Sequence, residues 1–302
     1  MSLSADQITQ AAIEFAVPLW LAGLGELVVQ RAGVINIGIE GLMLAGAFAG
    51  WAIALTTGSA WLGLMAAAIA GMLLAGVFAL VAVRFGADQI VTGTAINLLA
   101  VGATGMGFKI AVESELSDRT AAFFRPISFD ALPFEALNQY GLCYTTILLA
   151  LMLHYCLGRT RPGIELQSLG EYPAAADAMG IQVNRRRVVA VLFGGLTAGL
   201  AGSYLSLMFV RDFNENLVSG RGFLALAMVI FGRWRPMGLV LAGLFFGSVY
   251  AVETYLEVSS LPGMPAPQIL QMSPYLLTIV ALAGWAGRSR SPAALGQPFN
   301  RH

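Results

Sequence analysis

Long apolar runs recur along this chain, and they leave few folds open to it. Runs at 11–29, 38–55, 61–83, 89–110, 141–157, 188–210, 237–258 and 274–287 are mostly apolar, with polar stretches between them. A helix rises about 1.5 Å per residue, so about 20 residues cross the roughly 30 Å hydrocarbon core of a bilayer. Inside that core no water is available to backbone amides and carbonyls, so such runs fold as helices. Hydrophobic residues make up 57% of the chain and charged residues 11%, against about 25% charged in soluble domains. The expectation is an all-α polytopic membrane protein, a single transmembrane domain over 1–302. Eight or nine membrane elements are expected. The count turns on the broken stretch that follows the first run and on 222–232, where about 11 residues are short for a crossing. The first run is read as interrupted at Glu14 and Pro18.

The rest of the composition excludes several classes. Formal net charge is zero, so nothing favours nucleic acid. Cys143 and Cys156 fall on one expected helix, 13 residues apart. They are too far apart to bridge. His154 and His302 have no ligands at metal spacing, so no metal site and no cofactor is expected. No positively charged segment precedes the first run, so the first span is read as the targeting element rather than a cleaved leader.

Residues 24–46 read LGELVVQRAGVINIGIEGLMLAG. They hold Glu26, Arg31, Asn36 and Glu40 among apolar residues, with Gly25, Gly33, Gly38, Gly41 and Gly46. Polar groups facing lipid are costly, so these are expected to face a protein interior or a watery cavity. Glycines at this density let backbone approach backbone. A broken membrane helix with freed backbone groups is a common way to build a solute site near the midplane. A short loop between two spans, anchored by Arg31, is the plainer reading. Residues 215–228, ENLVSGRGFLALAM, echo this stretch faintly, as corresponding broken segments do in repeat-built transporters. The expected pathway residues are Glu26, Asn36, Glu40, Asn97 and Phe223, with Glu253 a further polar group in an apolar run. The two asparagines both donate and accept.

Orientation follows from the basic residues. One alternate set of connections holds Arg31, Arg84, Arg159, Arg161, Arg185, Arg186, Arg187, Arg233, Arg235, Arg288, Arg290 and Arg301. The other holds Lys109, Arg119, Arg125, Arg211 and Arg221. The richer set is expected in the cytoplasm, which places the C-terminus inside and the N-terminus outside.

The segment 159–187 is then cytoplasmic. It reads RTRPGIELQSLGEYPAAADAMGIQVNRRR, too polar to cross and too patterned for a plain linker. Pro173 suits a first helical turn. Glu171 before it favours the positive end of the helix. Ala174, Ala175 and Ala176 sustain it, and Gly180 ends it. The expected product is a short helix with a small, flat face able to settle into a partner's groove.

GEYPAAADAMGI, at 170–181, resembles the cytoplasmic coupling loop of ABC importer permeases. Together with QRAGVINIGIEGLMLAG, at 30–46, it is similar to the branched-chain amino acid, simple sugar and nucleoside branch. The likeness is to the shorter nucleoside-type permease, over about 19–287. Gln30 stands where the pattern has an acid. The resemblance implies a type II ABC importer permease fold with broken helices and inverted repeats. It implies ATPase coupling through Gly170, Glu171, Pro173, Ala174, Ala175, Ala176 and Gly180. It implies an ABC ATPase subunit on the cytoplasmic side, since the chain has no GxxxxGK[ST] of its own. It further implies a second, unlike permease subunit, a periplasmic or lipid-anchored binding protein, and a bacterial inner membrane as the location. Nucleosides or related bases are the expected solutes, and simple sugars the alternative. Two other classes fit the chain less well. An intramembrane enzyme lacks a nucleophile and base. A secondary transporter would use Glu26, Glu40 and Glu253 as proton carriers, but it has no need of the coupling pattern.

Overall fold

The computed structural model describes residues 5–113, 121–128, 137–259, 272, 276, 279–280 and 290–299. Ten α-helices follow in the described residues: α1 Ala5–Arg31, α2 Ile39–Thr57, α3 Ala60–Phe78, α4 Gln89–Glu113, α5 Gly141–Arg159, α6 Arg161–Glu171, α7 Pro173–Ala178, α8 Val183–Tyr204, α9 Arg221–Phe231 and α10 Pro236–Ser259. Wider π turns extend α3 over Ala79–Arg84 and α8 over Leu205–Phe209. Among the described residues the only β pairing is an isolated bridge between Ile127 and Gln139. Seven of these segments are long and apolar enough to cross a membrane. The expected last span, 274–287, lies almost wholly outside the described residues.

The first span is not interrupted. α1 runs through Glu14 and Pro18 without ending. Gln10 Nε2 donates to Glu14 Oε1 at 3.2 Å, one turn along the same helix, which satisfies the carboxylate locally. Proline is tolerated inside membrane helices where neighbours enclose the freed carbonyl, and α1 is buried from Ala16 to Gln30.

Glycine sets how closely the helices approach. α8 lies against α1, α2 and α3. A Cβ on Gly199 would fall 2.2 Å from the Ala67 carbonyl of α3, and one on Gly202 would fall 1.9 Å from the Met43 carbonyl of α2. Such contacts replace hydrophobic collapse, which gives no driving force between helices in lipid. α10 meets the other side of α1, where Trp20 Nε1 donates to the Val240 carbonyl at 3.0 Å. By contrast α4 and α5 expose Ile90, Val91, Leu98, Leu148 and Leu151, as helices that face lipid or another subunit must.

Two helices begin inside the bundle. α9 has 11 residues, about 16 Å, half of a crossing. α2 starts at Ile39 after a break at 32–38, where Asn36 is only 1% exposed.

Candidate functional site

The break is held open by side chains from four elements. Gly33, at φ +85°, turns the chain out of α1, a conformation that favours glycine. Glu26, still inside α1, accepts from Gln30 Nε2 at 3.1 Å and from the Asn36 N–H at 3.2 Å. Gln30 in turn accepts from Trp234 Nε1 at 2.8 Å. Gln89, first residue of α4, accepts the Ile35 N–H at 2.8 Å. Asn97, two turns further along α4, donates to the Ile37 carbonyl at 3.0 Å and accepts from the Gly41 N–H at 2.7 Å. The Asn36 side chain accepts from the Gly38 N–H at 3.0 Å. The break is thus freed of helical bonds and re-bonded by amide side chains, as buried backbone requires. Gly93 allows α4 this close, since a Cβ there would lie 2.7 Å from the Gly38 nitrogen.

Glu40 closes the other side. It sits in the first turn of α2, and its two oxygens accept from the Gly220 and Gly222 N–H groups, each at 2.7 Å. These amides open α9. A carboxylate at a helix N-terminus meets both unsatisfied N–H groups and the positive end of the dipole. The fit requires Gly222, because a Cβ there would lie 2.7 Å from the Glu40 Cα. The two stretches that echo each other in sequence therefore meet at their helix starts. The loop leading to α9 is pinned by Phe213, 1% exposed, with ring centroids of Phe48, Trp51 and Phe108 at 5.3, 5.8 and 5.4 Å.

Of the expected pathway residues, Glu26, Asn36, Asn97 and Glu40 converge on this one region. Phe223 follows Gly222 directly and is 47% exposed. Glu253 does not join them. It lies 17 residues into α10, about 25 Å along the helix axis from the start of α10 at Pro236. Among the described residues its Oε2 has no hydrogen-bond partner. Sequence reading passed over Gln89, which looks like an ordinary polar helix start, and Phe213, which looks like one more aromatic in a loop.

The expected coupling residues divide between two helices. α6 ends at Glu171, and Tyr172, with φ −141° and ψ 77°, breaks the axis before α7 begins at Pro173. Gly170 and Glu171 therefore close α6 rather than open α7. Glu171 Oε2 accepts weakly from the Ala293 N–H at 3.4 Å, so it faces the C-terminal tail instead of the α7 dipole. Gly180, at φ +85°, ends α7, and the Ile181 N–H donates back to the Ala176 carbonyl at 3.0 Å. This is the glycine-terminated cap expected from sequence. Ala176 faces inward at 4% exposure, while Tyr172 and Met179 are 73% and 84% exposed. Ala174, Ala175 and Ala178 share that open side. Beside it lies a cavity of about 590 Å³ lined by Glu165, Met179, Gln182, Arg185 and Arg186 among others. Among the described residues no cluster of His, Cys, Asp or Glu could hold a metal.

The Asn97 bonds give a direct test. Asn97→Leu leaves the Gly41 N–H and the Ile37 carbonyl without partners, at about 1–3 kcal/mol for each such group. Thermal unfolding in detergent is expected to fall accordingly. Asn97→Asp keeps the shape and the acceptor for Gly41 but turns an oxygen toward the Ile37 carbonyl, so it is expected to lose stability as well. Unchanged unfolding in both variants would show that the two Asn97 bonds carry no stability, and a loss confined to Asn97→Leu would show that Asn97 acts by its volume.

The chain matches the family described as branched-chain amino acid transport system / permease component over residues 8–282. It is 39% identical to the guanosine ABC transporter permease protein NupQ of Bacillus subtilis (strain 168), across 97% of this chain and 96% of that protein. It is 34% identical to the putative glucose ABC transporter permease protein TsgC13 of Haloferax volcanii, across 100% and 99%. It is 31% identical to the nucleoside ABC transporter permease protein NupC of Lactococcus lactis subsp. cremoris, across 93% of each.

Proposed function

This chain belongs to the branched-chain amino acid transport system / permease component family, as a multi-pass membrane protein, and from that premise we propose that it carries nucleosides or closely related neutral solutes through the bilayer at the break between α1 and α2. One observation carries the reading. Both helices that start inside the bundle already have their N-termini filled by the protein's own acceptors. Asn36 and Asn97 serve α2, and Glu40 serves α9. A helix start is the natural seat of an anion, and here neither is vacant for one. The remaining polar groups are mainly amides, which both donate and accept and so suit hydroxyls and base edges.

The chemistry is mechanical rather than covalent. ATP is hydrolysed by a partner subunit whose groove receives the open face of α7, around Pro173, Ala174, Ala175 and Gly180. Its closure rocks the helices between two states, and the bias comes from how differently ATP favours them. The connections holding Arg31, Arg185, Arg186, Arg233 and Arg235 face the cytoplasm by their basic excess, and on that reading the C-terminus lies inside and the N-terminus outside. Glu26, Asn36, Glu40, Asn97 and Phe223 line or shape the route. A second, unlike permease covers the apolar faces of the bundle. A periplasmic or lipid-anchored binding protein delivers the solute.

Solute class is tested on that binding protein. Calorimetry with purines, nucleosides and simple sugars is expected to give nucleoside binding at least about 100-fold tighter than sugar binding, a difference of about 2.7 kcal/mol. Selective binding of glucose would assign the system to sugars, the class of the TsgC13 likeness. The scaffold accommodates either.

A further inference from the structure

Three consecutive arginines open α8, and the structure gives them different environments. Arg185 is exposed, with Nη1 3.4 Å from Gln182 Oε1. Arg186 pairs with Glu165 at 2.8 Å on the surface. Arg187 is 1% exposed.

A buried guanidinium normally requires a carboxylate beside it. Among the described residues Arg187 has none. Its Nε donates to the Ala32 carbonyl at 3.0 Å, Nη1 to the Gln297 carbonyl at 2.8 Å, and Nη2 to the Leu169 carbonyl at 3.4 Å. Ala32 follows the last residue of α1, and Leu169 lies in the last turn of α6. Two helix C-termini thus aim their unbonded carbonyls and the negative ends of their dipoles at one cation. Glycines make the approach possible. A Cβ on Gly33 would lie 2.7 Å from Arg187 Nη2, and one on Gly170 would lie 2.5 Å from the Arg31 carbonyl. The C-terminal tail threads the same junction. The Ala294 N–H donates to the Gly170 carbonyl at 2.8 Å, and the Gly296 N–H donates to the Gly33 carbonyl at 3.1 Å.

We propose that Arg187, together with the tail at 292–297, is the joint that ties the α6–α7 unit to the break at 32–38, so that displacement of α7 is delivered to the break. Arg187 is a positioning residue. It touches no solute and acts by fixing three main-chain segments, distant in sequence, around one charge. The inference rests on the permease reading above.

The test uses the complete complex in proteoliposomes: this chain, its second permease, the ATPase and the binding protein. Solute imported per ATP hydrolysed is the readout, since a merely structural defect lowers both together. Arg187→Met keeps an unbranched apolar stem and removes the charge and its three bonds. It is expected to keep ATP hydrolysis within about twofold of the parent while import per ATP falls by about tenfold, within the usual range of coupling energies. Arg187→Lys, able to reach fewer of the three carbonyls at once, is expected to fall between. A chain ended after Arg290 keeps the buried cation and loses the tail, and it is expected to move the ratio the same way. This truncated chain decides the matter if Arg187→Met does not assemble. An unchanged ratio in the truncated chain, or a proportional loss of hydrolysis and import in both variants, overturns the joint. Failure of the parent complex to import with ATP would instead overturn the permease reading.

Discussion

Glu40→Ala is expected to abolish most transport while leaving the protein in the membrane. Both Glu40 oxygens are engaged by the amides that open α9. Removing the carboxylate strands two N–H groups at a helix start, at about 1–3 kcal/mol each. α9 spans only 11 residues and cannot reach across the bilayer to find another anchor. Its start is expected to loosen, which hydrogen exchange over residues 220–224 would register as faster exchange. Import is expected to fall by at least about tenfold, since 1.4 kcal/mol already corresponds to that factor. Glu40→Gln keeps one acceptor oxygen and is expected to retain part of the activity. Parent-like exchange and import in Glu40→Ala would show that the meeting of α2 and α9 has no part in transport.

Ala175→Arg should release the ATPase without unfolding the permease. Ala175 lies on the open side of α7, between Tyr172 and Met179. Arginine sustains a helix nearly as well as alanine, and substitutions on an exposed surface usually shift stability by no more than about 0.5 kcal/mol. The melting temperature of the isolated chain is therefore expected to hold. A long charged side chain on a face of alanines prevents close seating in a groove. Co-purification of the ATPase is expected to drop by about tenfold or more, the effect of losing 1.4 kcal/mol or more of contact. Undiminished co-purification and import would move the docking surface away from α7. Ala176→Arg is not an equivalent test, because Ala176 is buried and the change would disturb α7 itself.

Much of this was legible because it is local. Apolar runs long enough to cross must be helical in lipid, so the spans stood out in sequence. Pro173 and Gly180 bound a helix by their own backbone geometry, and α7 ends where they place it. The break near Asn36 showed itself as polar residues and glycines within an apolar run. Other features depend on pairings that no local pattern carries. Glu40 meets amides 180 residues away. Arg187 looks like the third residue of a surface basic run, and only the convergence of two helix ends and the tail buries it. Pro18 reads as a breaker in isolation, yet the packing around α1 keeps that helix whole. Gly170 and Glu171 belong to the wrong side of a kink that Tyr172 alone does not announce. In each case tertiary contact overrode a sound local preference.

The most direct measurement is nucleoside accumulation in sealed proteoliposomes holding the complete complex, with ATP on the ATPase side and a proton ionophore present. The expected result is accumulation that requires both ATP and the binding protein and is indifferent to the ionophore. Uptake by this chain alone, independent of ATP and abolished by the ionophore, would contradict the assignment and point to a proton-coupled carrier using its membrane carboxylates.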